Sequence, residues 1–95
     1  MSLMIQSFKD ARAGKLMGGR RVVERVNIEE QARTRLIRLD SATSLEDLRA
    51  LRGNRLERLR GSRKGQFSIR INDQFRICFK WKAKGPTDVE IVDHH

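Results

Sequence analysis

The chain of 95 residues has one cysteine, one proline, one tryptophan and no tyrosine, and only 5% of it is aromatic. A single cysteine cannot close an internal disulfide, and Cys78 has no neighbours at the spacing a metal site needs. No apolar run approaches the roughly 18 residues that cross a bilayer. No basic stretch followed by an apolar one opens the chain, so no secretory signal is read, and a reducing, cytoplasmic setting without membrane attachment is expected. Walker loop, dinucleotide fingerprint, CxxC pair and nucleophile elbow are all missing. Chemistries that depend on those motifs have no signature here.

What the chain has is positive charge. Its length suits one domain, residues 1–95, and 38% hydrophobic with 35% charged residues suits a compact domain with a modest core. The net charge of +9 is uneven: from Arg52 to Lys82, ten basic residues stand against Glu57 and Asp73, a net of +8. Residues 1–51 carry +3 (ten basic, seven acidic) and residues 83–95 carry −2 (one basic, three acidic). A basic patch of that density points to nucleic acid, an acidic protein partner, or both.

The patch coincides with a hairpin. Gln66 to Asn72 and Gln74 to Lys82 alternate as two strands joined across Asn72-Asp73-Gln74. Alternation puts Phe67, Ile69, Ile71, Phe75, Ile77, Phe79 and Trp81 on one face. Ser68, Arg70, Asn72, Arg76, Cys78, Lys80 and Lys82 share the other, which is expected to be wet and cationic. Such a face either receives an anion or merely keeps the surface soluble.

Around it, the order of elements is as follows. Met1-Ser2-Leu3 reads as a short leader before Met4. Met4 to Phe8 is expected as a short strand, and Asp10 caps a helical turn through about Leu16, stopped by Gly18-Gly19. Asn27 with Glu30 forms a capping box for a helix from Ile28 to about Asp40. Ile28, Ala32, Leu36 and Leu39 form its apolar stripe, while Ile37 falls on the opposite side. Ser44 with Asp47 caps a second short helix, Leu45 to about Leu51, closed by Gly53. Asn54 to Leu59 is expected as a short strand. Gly61-Ser62-Arg63-Lys64-Gly65 is a basic loop where the backbone either approaches a ligand or is simply solvated. Gly85-Pro86-Thr87-Asp88 is expected as a turn, followed by a last strand, Val89 to Asp93.

The only group with catalytic potential is Asp93-His94-His95 beside the face bearing Arg70 and Arg76. Histidine titrates near neutrality and serves as general acid or base. The same two histidines also read as a tag remnant or a loose end. A shared metal ion is disfavoured, because adjacent strand residues point to opposite faces.

Three runs together, Gly53-Asn54-Arg55-Leu56-Glu57, Gly65 through Phe79, and Val89 through His95, closely resemble HigB-type toxins of the RelE-like superfamily. The resemblance covers nearly the whole chain from Met4. It implies an α+β, microbial RNase-like fold: an antiparallel sheet with N-terminal helices packed on one face. It also implies a type II toxin that cleaves messenger RNA in the ribosomal A site, without metal or other cofactor, and so inhibits translation. By that resemblance Arg70 and Arg76 bind phosphate and stabilise the transition state, with Lys64 as a loop cation of similar role. Asp93 and His95 match the family's C-terminal acid and histidine, His95 moving the proton. Arg63, Asn72, Lys80, Lys82 and His94 complete the expected RNA-binding set. His94 stands where the family has tyrosine, which removes a phenol that would stack or relay a proton. The implied partner is a helix-turn-helix, HigA-like antitoxin, with operator DNA reached only through it.

Two other functions compete. The basic face could serve as an RNA- or antitoxin-binding module with little nuclease activity, acting mainly in autoregulation. A nuclease working without the ribosome is the third reading, disfavoured by the few aromatics on the basic face, since single-strand binders stack bases on such platforms.

Overall fold

Ile28, Ala32, Leu36 and Leu39 recur at helical spacing and need a hydrophobic surface to cover them. In the computed structural model, which describes residues 4–11, 13–14 and 28–93, these four are buried, and helix α1 spans Glu29–Ser41. Ile37, on the other side, is exposed as expected. Glu29 and Glu30 in the first turn and Arg38 in the last complement the helix dipole. The helix is preceded by Ile28, which makes no side-chain cap bond. Asn27, expected as the cap, lies outside the described residues, as do the leader, Leu16, Gly18-Gly19 and the terminal histidines.

Helix α2, Leu45–Ala50, starts as its capping residues dictate. Ser44 Oγ accepts from the Asp47 N–H at 3.2 Å, and the Asp47 carboxylate accepts from the Thr43 N–H at 2.8 Å and from the Thr43 hydroxyl. These bonds, the Thr43 hydroxyl first and then the backbone N–H groups, hold the Asp47 carboxyl below its ordinary value. Gly53 does not close this helix. A 3₁₀ turn, Arg52–Asn54, follows, and Arg55 ends it in the left-handed region at φ 44°.

The strand expected over 54–59 shrinks to β1, Glu57–Arg58. Its first residue is drawn inward instead. Asn54 is fully buried, donating from Nδ2 to the Leu48 carbonyl at 3.0 Å and accepting from Arg38 at 3.4 Å. A buried amide needs such partners, and a straight strand would remove them.

Strands β2 (Gln66–Arg70), β3 (Phe75–Lys82) and β4 (Gly85–Asp93) complete an antiparallel sheet in the order β1-β2-β3-β4. In the β2–β3 turn, Asn72 Oδ1 accepts from the N–H groups of Gln74 and Phe75, both at 2.8 Å. The turn expected at Gly85 to Asp88 is corrected: those residues belong to β4, and Ala83-Lys84 make the turn. Gly85, at φ 120°, supplies the backbone freedom a tight connection needs, and Pro86 sits near the strand start, where a missing N–H is tolerated.

Met4 to Phe8 is not a regular strand. It runs along the outer edge of β4, parallel to it, with a single bridge from Phe8 to Val89. Gln6 N–H donates to the Pro86 carbonyl at 2.8 Å, Val89 N–H to Ser7 at 3.0 Å, and Lys9 N–H to Val89 at 2.9 Å. A helical turn follows, with the Ala13 N–H on the Asp10 carbonyl.

Helix and sheet meet over Leu36, Leu39, Leu48, Ile69, Ile77, Phe79, Val89 and Ile91, all buried. The α+β class with the helices on the sheet's apolar face is the expected one. Among the described residues no helix is long and apolar enough to cross a membrane.

Leu36→Ala should lower stability by about 2–5 kcal/mol, because it leaves a cavity at a fully buried position; urea unfolding measures this. Asp47 has a lowered folded-state pKa, so its contribution is complete above the ordinary carboxylate value of 3.8 and is lost as the pH falls through the lowered one. Asp47→Asn should remove that acid-side loss, read by denaturation between pH 2 and 5.

Candidate nucleic-acid interface

The β2–β3 register sets out the polar face in rows. Arg70 lies opposite Arg76, Ser68 opposite Cys78, and Gln66 opposite Lys80; β4 adds Glu90 beside Cys78 and Thr87 beside Lys80. The expectation of a wholly wet face is corrected at its centre, where Ser68, Arg76 and Cys78 are buried. The backbone at Arg55 meets this buried group at Arg76. Arg76 donates from Nε to Ser68 Oγ at 2.7 Å and from Nη2 to the Arg55 carbonyl at 2.7 Å, with the Glu57 carboxylate 4.0 Å away. A charge only 7% exposed is retained because Nε and Nη2 have acceptors and a counter-ion stands nearby. Burial pushes the Cys78 thiol up, Glu90 adds to this, and Arg63, Arg76 and Lys9 oppose it.

The residues assigned from the sequence fall at two ends of the sheet. At the turn end stand Arg70, Arg76, Asn72 and Asp93. Arg70 is partly exposed and pairs with Asp73, while Asn72 uses its amide oxygen to lock the turn. Asp93 lies opposite Phe75 and two residues beyond Ile91, hence on the helix-packed side of the strand alternation, although at the same end as the arginines. Its carboxylate accepts from Gln74 Nε2 at 3.2 Å. His94 and His95 lie outside the described residues.

At the other end of β2 are Arg63, Lys64, Lys80 and Lys82. Lys64 is exposed just before Gly65, whose φ of 90° turns the chain into β2. It is thus a strand's length from Arg70. Arg63 reaches Gln66 at 3.1 Å and Glu90 at 3.3 Å, Lys80 pairs with Asp88 at 3.3 Å, and Lys82 is exposed at the β3–β4 tip. Among the described residues no three metal-ligating side chains gather.

One member of the turn-end cluster was not assigned from the sequence. Arg35, on α1, donates from Nε to the Arg70 carbonyl at 3.2 Å. Burial lowers its pKa, and the charges of Arg38 and Arg70 lower it further. Arg35 sits next to Leu36 in the apolar stripe, but nothing in the periodicity says which strand end it reaches.

The family model for the RelE-like toxin of the type II toxin-antitoxin system HigB matches residues 14–95. The chain belongs to the HigB family. It is also similar to Toxin HigB-1 of Vibrio cholerae serotype O1, 46% identical over 55 residues, which are 58% of this chain and 58% of that toxin. The chain thus spans somewhat more than half the length of that relative. The four-stranded antiparallel sheet with helices on one face is consistent with the RelE-like fold of this family.

In this HigB-family chain the Cys78 thiol, buried and raised in pKa, should react with iodoacetamide at least about tenfold more slowly in the native protein than in urea, since the thiolate is the nucleophile. Equal rates would show that the polar face opens freely.

Proposed function

We propose that this chain is a ribosome-dependent messenger RNA endonuclease that arrests translation, acting as the toxin of a type II pair. The observation that carries this reading is the cross-strand pair Arg70 and Arg76, with Arg35 bonded to the Arg70 carbonyl, at the sheet end where β4 finishes at Asp93. Family membership supports it.

The chemistry needed is attack of a ribose 2′-hydroxyl on the adjacent phosphate. The hydroxyl loses its proton to a base, the new O–P bond forms, and the departing 5′ oxygen takes a proton as its bond breaks. Arg70, partly open to solvent, is assigned the contact to the phosphate. Arg76 is fixed by Ser68 and Arg55 and adds a positive charge that needs no reorganisation when the transition state gains negative charge. His95 is assigned the proton transfer, with Asp93 to orient or balance it. Lys64 and Lys82 extend the cationic surface along the strand of RNA, Arg63 and Lys80, each held by a carboxylate, are assigned contacts to the RNA other than its phosphates, and Asn72 stands beside the arginines with His94 in the place of a family tyrosine. None of these steps calls for a metal.

An antitoxin of helix-turn-helix, HigA-like type is the proposed partner, bringing operator DNA to the complex, and the cytoplasm is the proposed site of action.

Induced expression in bacteria tests the reading. The intact chain should stop growth and create new 5′ ends within coding regions. His95→Ala and Arg70→Ala should reduce cleavage by about a hundredfold or more, the range of a lost proton-transfer group. Arrest that persists with folded His95→Ala overturns the site assignment. A harmless intact chain favours the binding-module reading.

A further inference from the structure

We infer that the polar concavity between β2, β3, β4 and the N-terminal segment holds a nucleobase a couple of nucleotides from the cut, and that it selects a base carrying an exocyclic amino group. The inference rests on the nuclease reading above and names how that site chooses its substrate. Lys9, Gln66, Lys80, Asp88 and Glu90 line this concavity of about 220 Å³, with Arg63 at its margin. It lies on the polar face of β2 and β3, in the Gln66–Lys80 row, two rows from Arg70 and Arg76. Four strand residues separate the rows, about 13 Å at the usual rise, a distance that an extended single strand covers in a couple of nucleotides.

Its charge decides the kind of ligand. Glu90 receives Lys9 at 3.5 Å and Arg63 at 3.3 Å, and Asp88 receives Lys80 at 3.3 Å. A phosphate entering here would meet two carboxylates, and the cations it needs are already engaged. A neutral, planar group with donors and acceptors along its edge suffers no such repulsion. The carboxylates retain lone pairs beyond these ion pairs and accept from an amino group. Lys80 and the Gln66 amide donate to a ring nitrogen or carbonyl. Gln66 Oε1 is already turned toward Arg63, which orients its NH2 group.

Two further features support a built site. Asp88 holds a left-handed φ of 53°, a conformation non-glycine residues seldom adopt, and its N–H is pinned by Ser7 Oγ at 2.8 Å. The Ser7 hydroxyl in turn donates to the Asp88 carboxylate at 3.4 Å, which with Lys80 orients it. The aromatic side chains Phe67, Phe79 and Trp81 belong to the opposite face by strand alternation. On the polar face a base is therefore recognised by its edge and not by stacking. Adenine, cytosine and guanine offer an amino group to a carboxylate; uracil does not.

The test is cleavage mapping after induced expression of the intact chain, Glu90→Gln and Asp88→Asn, with circular dichroism confirming the fold of each. The intact chain should disfavour uridine at one fixed position near the cut. Each variant should still cut, with that bias reduced about tenfold, the discrimination a good base-edge contact provides. A merely electrostatic role would raise or lower all cuts together and leave the bias unchanged, which overturns the inference. If Glu90→Gln does not fold, Asp88→Asn, which keeps an Asn-tolerated backbone and an amide oxygen for the Ser7 hydroxyl while weakening a half-exposed pair with Lys80, carries the test. An intact chain that cuts no message overturns the nuclease reading and this inference with it. An intact chain that cuts without base bias at any fixed position overturns the inference alone.

Discussion

Pairing Ile69 with Ile77 commits Arg70 to Arg76, because neighbouring residues on a strand face opposite sides. The helix stripe through Leu36 and Leu39 packs on the isoleucine side, and that burial holds the register. A slip of one residue would carry Ile69 to solvent and an arginine into the core. The cationic cluster is thus not maintained by its own attractions. It is held in place by the hydrophobic contact on the reverse of the sheet.

Buried Arg76 shows how far this goes. A guanidinium with so little exposure is costly unless its donors are satisfied, and the structure meets that demand with a serine on the next strand and a carbonyl from a left-handed residue, Arg55. Asn54 then anchors the same turn to α2 through the Leu48 carbonyl and to α1 through Arg38. Core, turn and arginine form one continuous polar and apolar structure, so a site carried by this sheet inherits the rigidity of the domain.

Much of this was legible in the residues. The α1 stripe, the Ser44 cap and the Phe67 to Trp81 alternation are local patterns with one physical meaning each, and they appear where the periodicity puts them. The misread stretches are those where tertiary partners outweigh local preference. Gly85-Pro86 looks like a turn, yet a glycine at positive φ and a proline near a strand start serve equally well as the entry to β4. Asn54 looks like the start of a strand and is instead consumed by the core. Of the candidate site, the shared face of Arg70 and Arg76 followed from the alternation, while their direct pairing is a matter of register. The burial of Ser68, Arg76 and Cys78 and the arrival of Arg35 did not, since both depend on chain segments distant in sequence.

The segment from Gln6 to Lys9 also determines what the sheet can do with other molecules. An outer strand with unpaired amides and carbonyls is a template on which another chain can add. Here the free side of β4 is already bonded to that segment at Pro86 and Val89, and on the opposite margin β1 is only two residues long. Among the described residues, a neighbouring strand that approached β4 between Pro86 and Val89 would find those backbone groups already taken, and would have to displace the chain's own first residues to add itself there.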